Sequence, residues 1–385
     1  MIYLDNSATT KPSEAIMTTF IQANERFYAN PASLHEMGVA SNSLLSRSRQ
    51  QIADLLKTTE QQIVFTSGGS ESNNFIIKGL ANANTHRGKH ILVSAVEHAS
   101  VLESARMLEE SGFEVDYVKV DHQGVIDMND FKEKLRKDTV VVSVMHVNNE
   151  VGAIQPIQAI AALIHQESRA FFHVDAVQSF GKLTIDFQGE YAPDAISISG
   201  HKLHAFKGSG IAAFKKLFTI DPLIHGGGQE MGLRSGTVAV PQNVALAKAM
   251  RLASEMQVQQ VEKYKDWRDE LHAFLAQFRD VYTLSTNAGA PHIVSCSVAD
   301  IKGEVMINAM QSQQIIVSTS SACHSKDSKV SHVVTAMGIP DEYARGVIRI
   351  SFGQMTTQEH IESFKNVFEN VLKQVKGEVK KYEMV

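Results

Sequence analysis

The sequence predicts an α/β protein, with a large unit built on parallel strands and a smaller α+β portion after it. Three observations predict this. Between residues 62 and 199, short apolar runs alternate with longer segments of helical period, the pattern of parallel strands joined by helices that cover both faces. Near Gln242 the alternation gives way to one long, polar helical stretch. The chain has 385 residues, 43% hydrophobic and 21% charged, an ordinary globular composition with room for a large core. At about 150 residues per domain, it holds two or three units, or one large unit with a satellite.

The elements follow in order. Residues 62–66 read as a strand and 70–84 as a helix with Ile76, Ile77 and Leu80 on one side. Strands at 90–94 and 115–120 alternate with helices at 98–111 and 127–136. Residues 139–147 form a β-branched strand, 157–166 a helix, and 170–174 and 195–199 further strands. The polar helix runs to about residue 278 and carries the only tryptophan, Trp267. Strands near 293–298, 315–318 and 347–352 follow, then a last helix over 357–375. The first dozen residues precede the alternation and are expected to pack with it.

Composition excludes several classes. A net charge of −5 leaves no basic footprint for nucleic acid or a lipid surface. No apolar run reaches the roughly 18 residues that span a bilayer. Met1-Ile2-Tyr3-Leu4-Asp5 does not read as an export leader, and two cysteines are too few for a disulfide framework, so a reducing, cytoplasmic setting is expected. The 16 histidines show no metal-binding spacing, and no metal is expected.

Three positions beside strands carry chemistry. Thr66-Ser67-Gly68-Gly69-Ser70-Glu71-Ser72 joins a strand to a helix; its N–H groups and the helix dipole make an anion site, or it is simply a glycine turn with a serine cap. Asp175 ends the run Phe171-Phe172-His173-Val174-Asp175, where open α/β sheets bind ligands, or it caps a helix. Lys202 closes Ser197-Ile198-Ser199-Gly200-His201-Lys202; partly desolvated, it can bond to a carbonyl, although most lysines are only solvated charges. Together these three match the needs of pyridoxal phosphate: a helix N-terminus for its phosphate, an acid for its ring nitrogen and a lysine for its aldehyde.

Other motifs weigh less. Gly208-Ser209-Gly210-Ile211-Ala212-Ala213 fits a dinucleotide fingerprint by letter, but a short apolar strand follows it instead of a helix. Gly226-Gly227-Gly228 and Arg234-Ser235-Gly236-Thr237 form a flexible, cationic loop that suits a phosphate or a plain surface. Cys323 lies in a small, polar, basic stretch where Lys326, Lys329 and His324 favour the thiolate; the alternative is an accidental surface thiol. Cys296 sits in an alternating strand and reads as inert packing.

The chain resembles the NifS/IscS-type cysteine desulfurases, class V members of the fold-type I pyridoxal-phosphate enzymes. The resemblance runs through Tyr3-Leu4-Asp5-Asn6-Ser7-Ala8-Thr9-Thr10, Asn30-Pro31-Ala32-Ser33, the loop from Thr66 to Asn73, Glu97-His98 and Met145-His146-Val147-Asn148-Asn149-Glu150. It continues in His173-Val174-Asp175-Ala176-Val177-Gln178, Ser199-Gly200-His201-Lys202, His225-Gly226-Gly227-Gly228-Gln229-Glu230 and Arg234-Ser235-Gly236-Thr237. Ser320-Ser321-Ala322-Cys323 and Ile348-Arg349-Ile350-Ser351-Phe352-Gly353 complete it, so nearly the whole chain is covered in order.

The resemblance implies a large domain over residues 12–250 with a mainly parallel seven-stranded sheet. It implies a small α+β domain over 1–11 and 251–385 that carries a cysteine loop at about 318–330. Lys202 would hold pyridoxal 5′-phosphate covalently, Asp175 would pair with its ring nitrogen, His98 would stack on the ring and Gln178 would meet the ring hydroxyl. Gly69, Ser70, Ser199 and His201 would hold the phosphate, with Thr237 arriving from the other subunit of a homodimer. Arg349 would clamp the substrate carboxylate, aided by Asn149. The implied reaction converts L-cysteine to L-alanine, with Lys202 as base, His98 shuttling protons and a persulfide left on Cys323. The sulfur would pass to an acceptor for tRNA thiolation or iron–sulfur cluster assembly. A selenocysteine lyase or another lyase of the same fold is the alternative. The setting of Cys323 argues for desulfuration, and the presence of both Lys202 and Asp175 argues against an inactive interaction protein.

Some positions depart from the family pattern. Gly68-Gly69-Ser70 stands where Gly-Ala-Thr is commoner, His204-Ala205-Phe206 where Gly-Pro is common, and His324 where a small hydroxyl residue is usual. The first keeps phosphate binding; the second is expected to alter the local backbone. The chain stops at Val385 without the longer tail that general iron–sulfur suppliers use, so a dedicated acceptor such as a tRNA-thiolating enzyme is expected.

Overall fold

The computed structural model describes residues 1–319 and 330–382. Its largest sheet has seven strands in the order Ile63–Thr66, Gly210–Phe214, Ala195–Ser199, Phe171–Asp175, Thr139–Met145, His90–Ser94, Glu114–Val118. The last five run parallel to one another. Apart from the edge strand Glu114–Val118, every residue of these strands is buried, because helices cover both faces. One core contains Leu92, Val142, Val174 and Ile196, and another contains Ile91, Val141, Phe171 and Ala195. Neighbours along each strand thus point to opposite faces.

Gly210–Phe214 runs against both of its neighbours. The connection from Ser199 to Gly210 is too short for a crossover helix, so only antiparallel pairing is open to it. The expected strand at 315–318 is two strands. Ile315–Ile316 pairs in parallel with Ile2–Tyr3, and Ser318–Thr319 pairs antiparallel with Val347–Ser351. The latter belongs to a second sheet in the order Ser318–Thr319, Val347–Ser351, Ile293–Val298, Val281–Thr283.

One helix, Val240–Leu275, serves both regions. Its residues up to Ala253 join the core of the large sheet, whereas Tyr264, Trp267, Leu271 and Leu275 join a core with Leu4, Phe352, Phe364 and Phe368. Two further helices, Glu14–Arg26 and Glu36–Leu55, pack on it. The last helix, Gln358–Tyr382, runs past residue 375.

Candidate active site

The strand Ile63–Thr66 turns at Ser67-Gly68 into the helix Gly69–Ala83. Gly68 has φ +150°, a backbone that side-chain-bearing residues rarely adopt, and a Cβ on Gly69 would lie 2.7 Å from Val177 Cγ2. Glycine therefore lets the helix N-terminus close onto the turn after Asp175. Ser199 lies beside this loop: its Oγ would be 3.5 Å from a Cβ on Gly68. Ser70 sits in the first turn of the helix. His201 Nδ1 is 3.2 Å from Thr9 Oγ1, and burial, reinforced by Lys202, pushes its pKa down to about 4, so the ring is neutral. A helix N-terminus with neighbouring hydroxyls is a suitable cradle for a phosphate.

Asp175 ends a buried strand, as expected from the sequence. Its Oδ2 accepts from Asn73 Nδ2 at 2.8 Å and its Oδ1 from Val177 N at 2.9 Å. Asn73 Nδ2 also donates to Ser100 Oγ at 2.9 Å, and Ser100 Oγ is 2.9 Å from His98 Nδ1. One chain of contacts thus orients both the carboxylate and the imidazole. His98 caps the helix Ala99–Glu110 and is half-buried. Burial lowers its pKa, Asp175 raises it and Lys202 lowers it, so it is neutral at pH 7 and within the field of both.

Lys202 ends a short turn after the strand Ala195–Ser199. Its Nζ donates to the carbonyls of Ser7 and Ala8, the second at 2.7 Å. Gln178 Nε2 also donates to Ser7 O, at 2.9 Å. The N-terminal segment therefore lies across the site. Arg349, in the strand Val347–Ser351, donates from Nη1 to Asn149 O at 2.7 Å and from Nη2 to Asp5 Oδ1 at 2.9 Å. Arg349 is buried, and its Nε has no partner among the described residues.

Thr237 is exposed, close in sequence to Arg234, which pairs with Glu71 of the phosphate-type helix at 2.8 Å. Cys323 and His324 lie outside the described residues. Among the described residues, no cluster of three or more His, Cys, Asp or Glu side chains could hold a metal ion.

The donor set suits pyridoxal 5′-phosphate. A helix N-terminus, an acid and a lysine stand at neighbouring positions around the Asp175 turn. Two buried amide oxygens there, Gln178 Oε1 and Asn73 Oδ1, lack partners among the described residues, which fits a site completed by a polar ligand.

Comparison with known proteins agrees with this geometry. The family model described as aminotransferase class-V matches residues 2–364. The chain belongs to the class-V aminotransferase family. This family depends on pyridoxal phosphate. A NifS/IcsS protein homolog from Lactobacillus delbrueckii subsp. bulgaricus is 40% identical over 96% of this chain and 97% of its own length. The cysteine desulfurase IscS of Dictyoglomus turgidum is 37% identical over 97% and 95%. A solved NifS-like protein superposes with a TM-score of 0.90 at 34% identity, covering 97% of this chain and 99% of that one. The mainly parallel sheet agrees with this class-V fold, as the sequence reading expected.

Several participants carried no assigned role in the sequence reading. Asp5 and Asn73 lie inside recognised motifs, but only folding shows that they hold Arg349 and Asp175. Ser100 carried no signal. His204, a departure from the family pattern, adopts φ +59°, the left-handed backbone that glycine takes most easily. Its ring compensates by bridging Lys11 O at 2.9 Å and Gln354 N at 3.2 Å.

Proposed function

We propose that this class-V enzyme is a cysteine desulfurase, converting L-cysteine to L-alanine and collecting the sulfur on Cys323. The observation that carries this reading is the network that joins Asp175 to His98 through Asn73 and Ser100, with Lys202 and Arg349 both bonded to the N-terminal segment at Ala8 and Asp5.

When bound, pyridoxal 5′-phosphate supplies an electron sink that labilises bonds at the substrate's α-carbon. The residues of the chain do the rest. Gly69, Ser70, Ser199 and His201 would hold its phosphate, with Thr237 of the partner subunit completing the set. Asp175 would pair with the ring nitrogen, Gln178 would meet the ring hydroxyl, and neutral His98 would stack on the ring. Lys202 would hold the aldehyde, and its amine, when free, would act as the base for the α-proton, with His98 able to relay it. Arg349 and Asn149 hold the substrate carboxylate. The Cys323 thiolate attacks the substrate sulfur; the S–S bond forms as the Cβ–S bond breaks, and the carbon fragment is protonated and leaves as alanine.

Thr237 would reach the site only in a homodimer. Met17, Ile21, Tyr28, Leu34, Met37 and Val39 expose apolar surface near the first two helices, with Leu34 97% exposed, and a second copy is its proposed cover. We assign residues 12–250 to the cofactor domain and 1–11 with 251–385 to the small domain. The proposed setting is the cytoplasm, and the proposed acceptor serves tRNA thiolation or iron–sulfur cluster assembly. No described helix is long and apolar enough to cross a membrane.

The test measures alanine and sulfide formed from cysteine, with borohydride trapping of the cofactor. The expected result is a label on Lys202 and loss of sulfide release in Cys323→Ala. Full-rate sulfide release by that variant overturns the reading, and selenide release from selenocysteine alone points to the lyase.

A further inference from the structure

Both described ends of the segment that carries Cys323 are fastened beside Arg349. Upstream, Ser318 pairs directly with Arg349 across antiparallel strands. Downstream, Ser331 Oγ donates to Glu150 Oε2 at 2.6 Å. Glu150 follows Asn149, whose carbonyl accepts from Arg349 Nη1. The next residue, His332, places Nε2 2.9 Å from the carbonyl of Glu97, the residue before His98. The chain leaving the cysteine segment is therefore docked on the two loops that present His98 and Asn149.

Glu150 is only 7% exposed, and the proposed reaction gives it no chemical task. Burial pushes its pKa up to about 7 against the opposing effects of Ser331 and Arg349. A buried carboxylate is costly unless it is paired or hydrogen-bonded. Its side chain here meets the hydroxyl that also caps the helix His332–Ala336 through Val333 N. Asn148 Oδ1 fixes the main chain on the other side, accepting from Glu150 N and Val151 N at 2.9 and 3.0 Å.

We propose that Glu150 is a positioning residue for sulfur pick-up, tying the chain beyond Cys323, through Ser331, to the peptide that holds Arg349. The clamp for the substrate carboxylate and the described residues on either side of the Cys323 segment are then held in one frame. Chain length makes this effective: Cys323 is five residues from Ser318 and eight from Ser331, and five extended residues span at most about 17 Å. The inference rests on the desulfurase reading, and its test separates the two.

The holoenzyme variants Ser331→Ala, Glu150→Ala, Glu150→Gln and the double alanine variant are compared in two measurements. One is the single-turnover rate of persulfide formation on Cys323, read by mass spectrometry. The other is the cysteine concentration that half-saturates the change in cofactor absorbance. Each single alanine variant is expected to slow persulfide formation about tenfold, the weight of one lost charge-assisted hydrogen bond. Half-saturation is expected to move less than about twofold, since the clamp itself is intact. Glu150→Gln keeps an acceptor oxygen and restores most of the rate. The double variant is no slower than either single one, because both remove the same contact.

An unchanged rate in Ser331→Ala overturns the inference. So does a rise in half-saturation that matches the loss of rate, or losses that multiply in the double variant. Should Glu150→Ala not fold, Ser331→Ala and Glu150→Gln decide the matter. If Cys323→Ala still makes alanine at full rate, the desulfurase reading itself falls. If it is inactive while Ser331→Ala behaves as wild type, only the positioning role falls.

Discussion

Asp5 Oδ1 and Arg349 Nη2 lie 2.9 Å apart, joining two residues separated by 344 positions in the chain. Burial raises the Asp5 pKa even though the Arg349 guanidinium opposes it. With Asn149 O on the other Nη, the pair sets the plane of the guanidinium.

Under the proposed function, that arrangement makes the fork, and not the charge alone, responsible for substrate affinity. Arg349→Lys is expected to lower kcat/KM for cysteine about a hundredfold, mostly through KM, since a lysine cannot grip a carboxylate bidentately. Asp5→Asn keeps the shape and removes one charge, so its rise in KM is smaller, about tenfold. Steady-state alanine formation checks both, and an unchanged KM in Arg349→Lys removes that residue from substrate binding.

Asp175→Asn tests the electronic role of the acid. Asn73 and Val177 N fix the present carboxylate with neutral donors, so the amide retains shape but not charge. The cofactor is expected to stay bound, seen as its absorbance band, while kcat falls by about two to three orders of magnitude. Loss of the band together with the activity assigns Asp175 to cofactor retention instead.

The two thiols are expected to behave differently. Cys296 is fully buried in the strand Ile293–Val298, and burial pushes its thiol up to about 12. An alkylating reagent at pH 8 needs a thiolate it can reach. Native Cys323→Ala is therefore expected to take no label, and the unfolded variant one, by mass spectrometry. Rapid labelling of the native variant contradicts the buried placement of Cys296.

Glu150 links stability to pH. Its folded pKa lies above the unfolded value, so between about pH 4.5 and 7 the folded state binds more protons than the unfolded chain. Its contribution is intact below the unfolded value and is lost as pH rises through 7. Glu150→Gln does not titrate, so its melting temperature relative to wild type is expected to climb by a few degrees from pH 5 to 7.5 and then level off. A constant difference across that range shows that Glu150 is not shifted.

The strands of the large sheet were legible because all but the edge strand Glu114–Val118 are short buried runs between turns; Ala195–Ser199 matches its expected bounds, as does Ile293–Val298 of the second sheet. The helices Glu14–Arg26 and Glu36–Leu55 were not. The buried face of the second includes Gly38, Ser41 and Ser48 beside Leu45 and Ile52, so no clean apolar stripe marks it. Gly38 lies close against Ser33 and Asn30, and the helix as a whole packs on Val240–Leu275. In the site, Asp175 and Lys202 were legible as polar endings to apolar runs. Ser100 and Glu150 were not, since their roles lie in the neighbours they meet.

The sequence by itself determined the alternation of strands and helices, the glycine turn before Ser70 and the polar residues Asp175 and Lys202 that follow apolar runs. Hydrophobic period and turn chemistry are local, and a few neighbouring residues carry them. The tertiary structure alone decided that Asp5 meets Arg349 and that Ser331 meets Glu150. These partners are 344 and 181 positions apart, and no local pattern encodes a contact that exists only once two sheets and the N-terminal segment have closed around the same point.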